Sequence, residues 1–130
     1  GAFDWVYCKN LLEHLGNPLD ALREMHRVLK VEGHLELITD NAGYWSFHAW
    51  YSKFHYSTKF KGLRGKEDRH FTIYTIAHLR NLFERVGFHI VFVRGWNDEA
   101  GWFEKPISWI LRCIGFRRMS YQKLKIVGRK

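Results

Sequence analysis

The stretch Phe3-Asp4-Trp5-Val6-Tyr7-Cys8 decides the fold. It is mostly apolar and aromatic, too short for a helix, and without a clean polar face. Such a run suits a strand buried on both sides of a parallel sheet. A helix follows it. Asn17 is a good N-cap, Pro18 fits the first helical position, and Asp20 sits where an acidic residue meets free N–H groups. Leu19, Leu22, His26 and Leu29 recur at helical spacing with Met25 beside them, and Gly33 breaks the pattern. His34 to Thr39 reads as the next strand. Strand, helix and strand in this order predict a right-handed crossover between parallel neighbours.

Further out, regularity fades and then returns. Tyr44, Phe47, Tyr51 and Phe54 fall at helical intervals in a crowded aromatic segment, and Lys59, Lys61, Arg64 and Lys66 make a basic loop after it. Thr75 caps a helix bearing Ile76, Leu79, Leu82, Phe83 and Val86, with Gly87 as its stop. Phe88 to Val93 is a third strand. Pro106 starts a short apolar helix through Ile107, Trp109, Ile110, Leu111 and Ile114. From Tyr121 to Val127 a last strand alternates Tyr121, Lys123 and Lys125 against Gln122, Leu124 and Ile126, which predicts one wet face.

The totals narrow the classes. With 130 residues and 46% hydrophobic residues, the chain suffices for one domain with a real core. Charge is uneven. Residues 1–42 hold four Lys/Arg against seven Asp/Glu, a net of −3, and residues 43–130 hold seventeen against six, a net of +11. A basic region of this kind suggests an anionic partner such as nucleic acid, phospholipid or a phosphorylated substrate, and equally a plain soluble surface. The two cysteines, Cys8 and Cys113, make no disulfide framework, so a reducing cytoplasm is the simplest home. The eight histidines are scattered, and neither an HxxxH nor a carboxylate–histidine cluster marks a metal site, so no metal is expected. No basic leader is visible, and no apolar run is long enough to span a bilayer.

Several motifs occur in register. Phe3-Asp4-Trp5-Val6-Tyr7-Cys8, then Leu11-Leu12-Glu13-His14-Leu15, Asn17-Pro18, and Leu22-Arg23-Glu24-Met25-His26-Arg27-Val28-Leu29-Lys30 together resemble the middle of class I S-adenosylmethionine-dependent methyltransferases. Phe71-Thr72, Leu79, Leu82 and Gly87-Phe88 look like that family's following helix and strand, and Tyr121 to Lys130 like its closing strand. Val31-Glu32-Gly33 keeps only one glycine where the family has Pro-Gly-Gly. The resemblance implies an α/β fold. Its core is a partial Rossmann-like sheet, mostly parallel with an antiparallel final strand, in one domain over residues 1–130. Residues 43–70 form an inserted aromatic lid or substrate segment, and residues 95–118 a second insertion. The family's first strand, glycine-rich loop and ribose-binding acidic residue would all precede Phe3. The chain is therefore expected to be the C-terminal part of a longer methyltransferase, inactive alone, with the Phe3–Cys8 strand left as an apolar edge.

The resemblance also implies a site. S-adenosyl-L-methionine would meet Cys8, Lys9, Asn10 and His14, because ligands of open α/β sheets sit outside the carboxyl ends of the strands. Nothing beside Cys8 lowers its pKa, so its thiol is not read as a nucleophile. Asp40, Asn41, Tyr44 and Trp45 would contact a small or lipid-like acceptor. Turn chemistry is the plain alternative for Asp40 and Asn41. His70 is the candidate general base or substrate-orienting group, with Asp68 orienting it, against the plain reading of a surface histidine in a charged loop. His26 reads as a packed histidine. The segment 102–118, with Arg112, Arg117 and Arg118, suits either peripheral contact with a membrane or, as the favoured reading, a helix covering the sheet. Two other functional classes stay open: a basic aromatic nucleic-acid-binding module, and a non-catalytic subunit completing a partner methyltransferase.

Overall fold

The computed structural model describes residues 1–45, 60–61, 67–68, 70–96 and 104–130, with the backbone alone at 60, 61, 67, 68 and 104. Strand β1 (Phe3–Lys9) leads through a 3-10 turn (Leu12–His14) to helix α1 (Pro18–Val28), and α1 to strand β2 (Leu29–Asp40). A two-residue pair, β3 (Phe60–Lys61) and β4 (Glu67–Asp68), comes next. Helix α2 (Ile76–Val86), strand β5 (His89–Trp96), helix α3 (Glu104–Cys113), a second 3-10 turn (Arg117–Ser120) and strand β6 (Lys123–Arg129) complete the order. None of the described helices is long and apolar enough to cross a membrane.

The helix ends follow their sequence signals. Asn17 accepts from the Asp20 amide at 3.4 Å, and Thr75 accepts from the His78 amide at 3.2 Å. Gly87 closes α2 at φ +99°, a left-handed conformation that a side chain would strain.

The main sheet has the order β1-β2-β6-β5. β1 and β2 are parallel, with Cys8 opposite Leu37. β6 lies antiparallel to both β2 and β5, so β5 points the same way as β1 and β2. Three strands thus share one direction around a reversed fourth, the mixed Rossmann-like sheet expected from the resemblance.

One face of this sheet is packed. Cys8, Leu35, Leu37, Leu124 and Ile126 meet Leu22, Leu79 and Phe83 from α1 and α2 in a single core cluster. Backbone and ring come close there: a Cβ on Gly128 would sit 2.7 Å from the Phe83 ring. The other face carries Trp5, Tyr7, His34, Glu36, Lys125 and Arg94 by register.

Four expectations are corrected. β2 begins at Leu29 and not at His34, so Leu29 leaves the helical pattern and Gly33 lies within the strand. β1 is not buried on both sides, because Phe3, Trp5 and Tyr7 are all more than half exposed on its second face at the sheet's edge. The wet face of the last strand is not wet at Lys123, which is 4% exposed. Its strand is internal, and residues at the carboxyl ends of its neighbours close over it. The helix started near Pro106 does not cover the sheet: Ile107, Trp109, Ile110 and Ile114 are exposed, and α3 packs mainly on the Arg117–Ser120 turn. The expected helix from Tyr44 to Phe54, beyond Trp45, and most of the basic loop lie outside the described residues.

Candidate active site at the strand carboxyl ends

The carboxyl ends of β1 and β2 lie side by side, and the residues that leave them form one polar cluster. Asn10 ends β1 in a left-handed turn, φ +52°, a conformation that asparagine tolerates better than most residues. Its amide donates to the Ile38 carbonyl at 3.0 Å, and its Oδ1 accepts from Lys123 Nζ at 2.8 Å. Lys123 Nζ also reaches Asp40 Oδ1 at 3.1 Å. Asp40 and Lys123 are both buried. An ion pair this dry holds only because each charge is matched, and removing one partner strands the other.

The 3-10 turn after β1 positions Glu13 and His14. Leu12, fully buried, anchors it, and Tyr74 Oη donates to the Leu12 carbonyl at 3.2 Å. Glu13 is 1% exposed, and its Oε2 accepts from Thr39 Oγ1 at 2.8 Å. The Glu13 carbonyl accepts from the amides of Phe71 at 2.8 Å and Thr72 at 3.3 Å. Those two bonds bring the distant segment 70–72 onto the turn. They set the His70 ring against His14, with centroids 4.5 Å apart and planes tilted by 45°. On its other side, His70 Nε2 lies 3.7 Å from Asp40 Oδ2.

Charge and burial leave their mark on the neighbours. Burial, and then the Glu13 carboxylate, push the Cys8 thiol up to about 11. The same two causes, in the same order, raise the Tyr74 phenol. Cys8 turns into the core.

The remaining predicted site residues divide. Asn41 is buried, and its side chain ties three segments together. Its Nδ2 donates to the carbonyls of Arg118 at 2.9 Å and Tyr121 at 2.7 Å, and its Oδ1 accepts from the Gly43 amide at 2.9 Å. Tyr44 is buried, and Trp45 Nε1 donates to the buried Ser108 Oγ at 3.3 Å. Asp68 pairs with Phe60 through the backbone, and its side chain lies outside the described residues. Lys9 is partly buried at the end of β1.

Sequence reading missed Lys123 and Thr39 and left Glu13 unassigned. Lys123 alternates with Leu124 like any wet lysine, so only its strand's internal place reveals it. Glu13 is adjacent to His14, but nothing along the chain pairs either of them with His70.

A parallel β-α-β unit within this mixed sheet defines an α/β domain of the Rossmann-like class. The chain belongs to the class I methyltransferases: the family model described as "Methyltransferase domain" matches residues 1–93. No curated protein matches the sequence at a significant level.

Solved structures agree on the fold. An S-adenosylmethionine-dependent methyltransferase from Methanosarcina mazei superposes with a TM-score of 0.69 at 16% identity, over 99% of this chain and 59% of its own. One from Archaeoglobus fulgidus gives 0.63 at 17% identity, over 99% and 60%. One from Mesorhizobium loti gives 0.58 at 16% identity, over 98% and 62%. The chain thus spans about three-fifths of the length of these relatives. The [4+2]-cyclase SpnF shares the fold with a TM-score of 0.59, at 18% identity, over 99% of this chain and 50% of its own.

Proposed function

We propose that this chain forms the acceptor-side part of an S-adenosylmethionine-dependent methyltransferase acting on a small or lipid-like acceptor. The observation that carries the reading is the meeting of Asn10, Glu13, His14, Asp40 and His70 at the carboxyl ends of two parallel strands, in a chain of the methyltransferase family. The cofactor supplies a methyl group activated on a cationic sulfonium. The edge suits a cation at Glu13, whose carboxylate pairs with no lysine or arginine among the described contacts, whereas Asp40 is matched by Lys123. The backbone of Cys8, Lys9 and Asn10, with His14, lines the cofactor side. His70, with Asp40 behind it, orients the acceptor and receives its proton as the nucleophile attacks in line with the departing sulfur. The exposed wall formed by His14 and Phe71 gives the acceptor its approach. Two free cysteines fit a reducing, cytoplasmic setting.

The test is a titration of the isotope-labelled chain with S-adenosylhomocysteine, followed by NMR. The expected result is saturable amide shifts concentrated at Lys9, Asn10 and His14. Shifts elsewhere, or none up to the solubility of the ligand, would refute the reading.

A second partner reading has its own support. Ile107, Trp109, Ile110, Ile114 and Phe116 are exposed on α3 and the turn after it, beside Arg112, Arg117 and Arg118. An apolar helix face with flanking cations suits docking on an anionic membrane. Cosedimentation with vesicles containing phosphatidylserine, lost in pure phosphatidylcholine and in Trp109→Asp, is the expected outcome. Equal behaviour on both vesicles would dismiss it.

A further inference from the structure

Glu13, His14 and His70 each offer one ligand atom, and these atoms lie within 4.8 Å of one another. A divalent ion bound at ~2.0–2.2 Å sets neighbouring ligand atoms about 3–4 Å apart. The set must close by about 1 Å to reach that spacing. From this juxtaposition we propose that Glu13, His14 and His70 bind a divalent first-row transition-metal ion.

The scaffold is already built. Glu13 is fixed by its buried turn and by the Thr39 hydroxyl, and His70 by the amide bonds of Phe71 and Thr72 to the Glu13 carbonyl. A carboxylate 1% exposed is costly to keep charged without a cation, and no lysine or arginine pairs with Glu13 among the described ion pairs and hydrogen bonds. Asp40, beside His70, stands where a carboxylate commonly orients a metal-bound imidazole.

The donor set identifies the class of ion. Two imidazoles and one carboxylate favour manganese, iron, nickel or zinc over magnesium and calcium, which prefer all-oxygen shells. Three protein ligands leave further positions open, and the exposed His14 gives the ion its way in. In the metal-loaded protein His70 serves as a ligand and no longer as a proton acceptor. The proposal stands whether or not the chain takes part in methyl transfer.

The test uses the tag-free chain and the metal alone. Calorimetric titration with MnCl2 and with ZnCl2 is expected to show one saturable site. His14→Ala, at an exposed position, and His70→Ala should each weaken it at least tenfold, in line with the tenfold to hundredfold sensitivity of metal sites to their supporting groups. His34→Ala, stacked on Trp5 on the open sheet face, should leave it unchanged. Nitrogen modulation in the pulsed EPR spectrum of the Mn2+-loaded chain should weaken in His14→Ala and in His70→Ala. Circular dichroism confirms that each variant is folded. Absence of saturable binding below millimolar metal overturns the proposal. So does wild-type affinity in both site variants, or loss of binding in His34→Ala.

Discussion

The two faces of the sheet are built from the same four strands, yet they differ in what holds them. On one, Cys8, Leu35, Leu37 and Ile126 interdigitate with Leu22, Leu79 and Phe83, and water is excluded. On the other, Trp5 stacks on His34 at 5.2 Å, Lys125 pairs with Glu36, and Arg94 and Lys125 lie over the Trp96 ring at 5.2 and 5.1 Å. The first face is held by hydrophobic burial; the second joins exposed ring and charge contacts to a buried patch of Ile38, Asp40, Lys123 and Val127. The comparison shows where stability resides, and that strand alternation alone does not say which lysines are dry.

Truncating one aromatic on each face gives the largest contrast. Phe83→Ala should cost about 3–5 kcal/mol, because it empties a fully buried site against Gly128. Trp5→Ala, more than half exposed, should change stability by no more than about 0.5 kcal/mol. Urea unfolding monitored by circular dichroism measures both, and equal losses would mean that the second face is covered in solution.

Two lysines of β6 sharpen the point on a single strand face. Lys123→Ala should cost about 3–5 kcal/mol by leaving Asp40 buried and unmatched. Lys125→Ala should cost about 1 kcal/mol, since its pair with Glu36 is partly solvated. The same denaturation series checks the ranking.

Thiol chemistry separates core from surface. Cys8, at about 11 against an ordinary 9.0, carries about a hundredfold less thiolate at pH 8 than a free cysteine. Iodoacetamide should therefore label the exposed Cys113 and spare Cys8 until the chain unfolds, as read by peptide mass.

The smallest effect is at the border of the packed face. Burial first, and Lys130 second, lower the pKa of His26 from 6.5, and its ring meets Phe88 edge-on at 4.9 Å. Its folded pKa lies below the unfolded one, so its contribution is intact above about pH 6.5 and is lost as pH falls through the lower folded value. Stability should decline over that window, and His26→Gln should flatten the decline in thermal melts.

Local chemistry made much of the fold legible. Caps at Asn17 and Thr75, the stop at Gly87 and the apolar periodicities gave the start of α1 and both ends of α2, because each signal acts within one helical turn; the end of α1 was read past Val28, where β2 already begins. The apolar run at Phe3 gave β1, although its aromatics turned out to lie on an open face. The site was half legible. Position after a strand pointed to Asn10 and Asp40, and the family resemblance to His14 and His70, but Asp40 and not a sequence neighbour is the described carboxylate beside His70.

By itself, the sequence determined the elements, their order and the parallel sense of β1 and β2, since propensity, capping and crossover handedness are properties of short segments. Only the tertiary structure decided that β6 enters between β2 and β5, that Lys123 is dry, and that Glu13, His14 and His70 converge. Those facts depend on strand pairing and on hydrogen bonds between residues far apart along the chain, and no local pattern encodes a partner's distance.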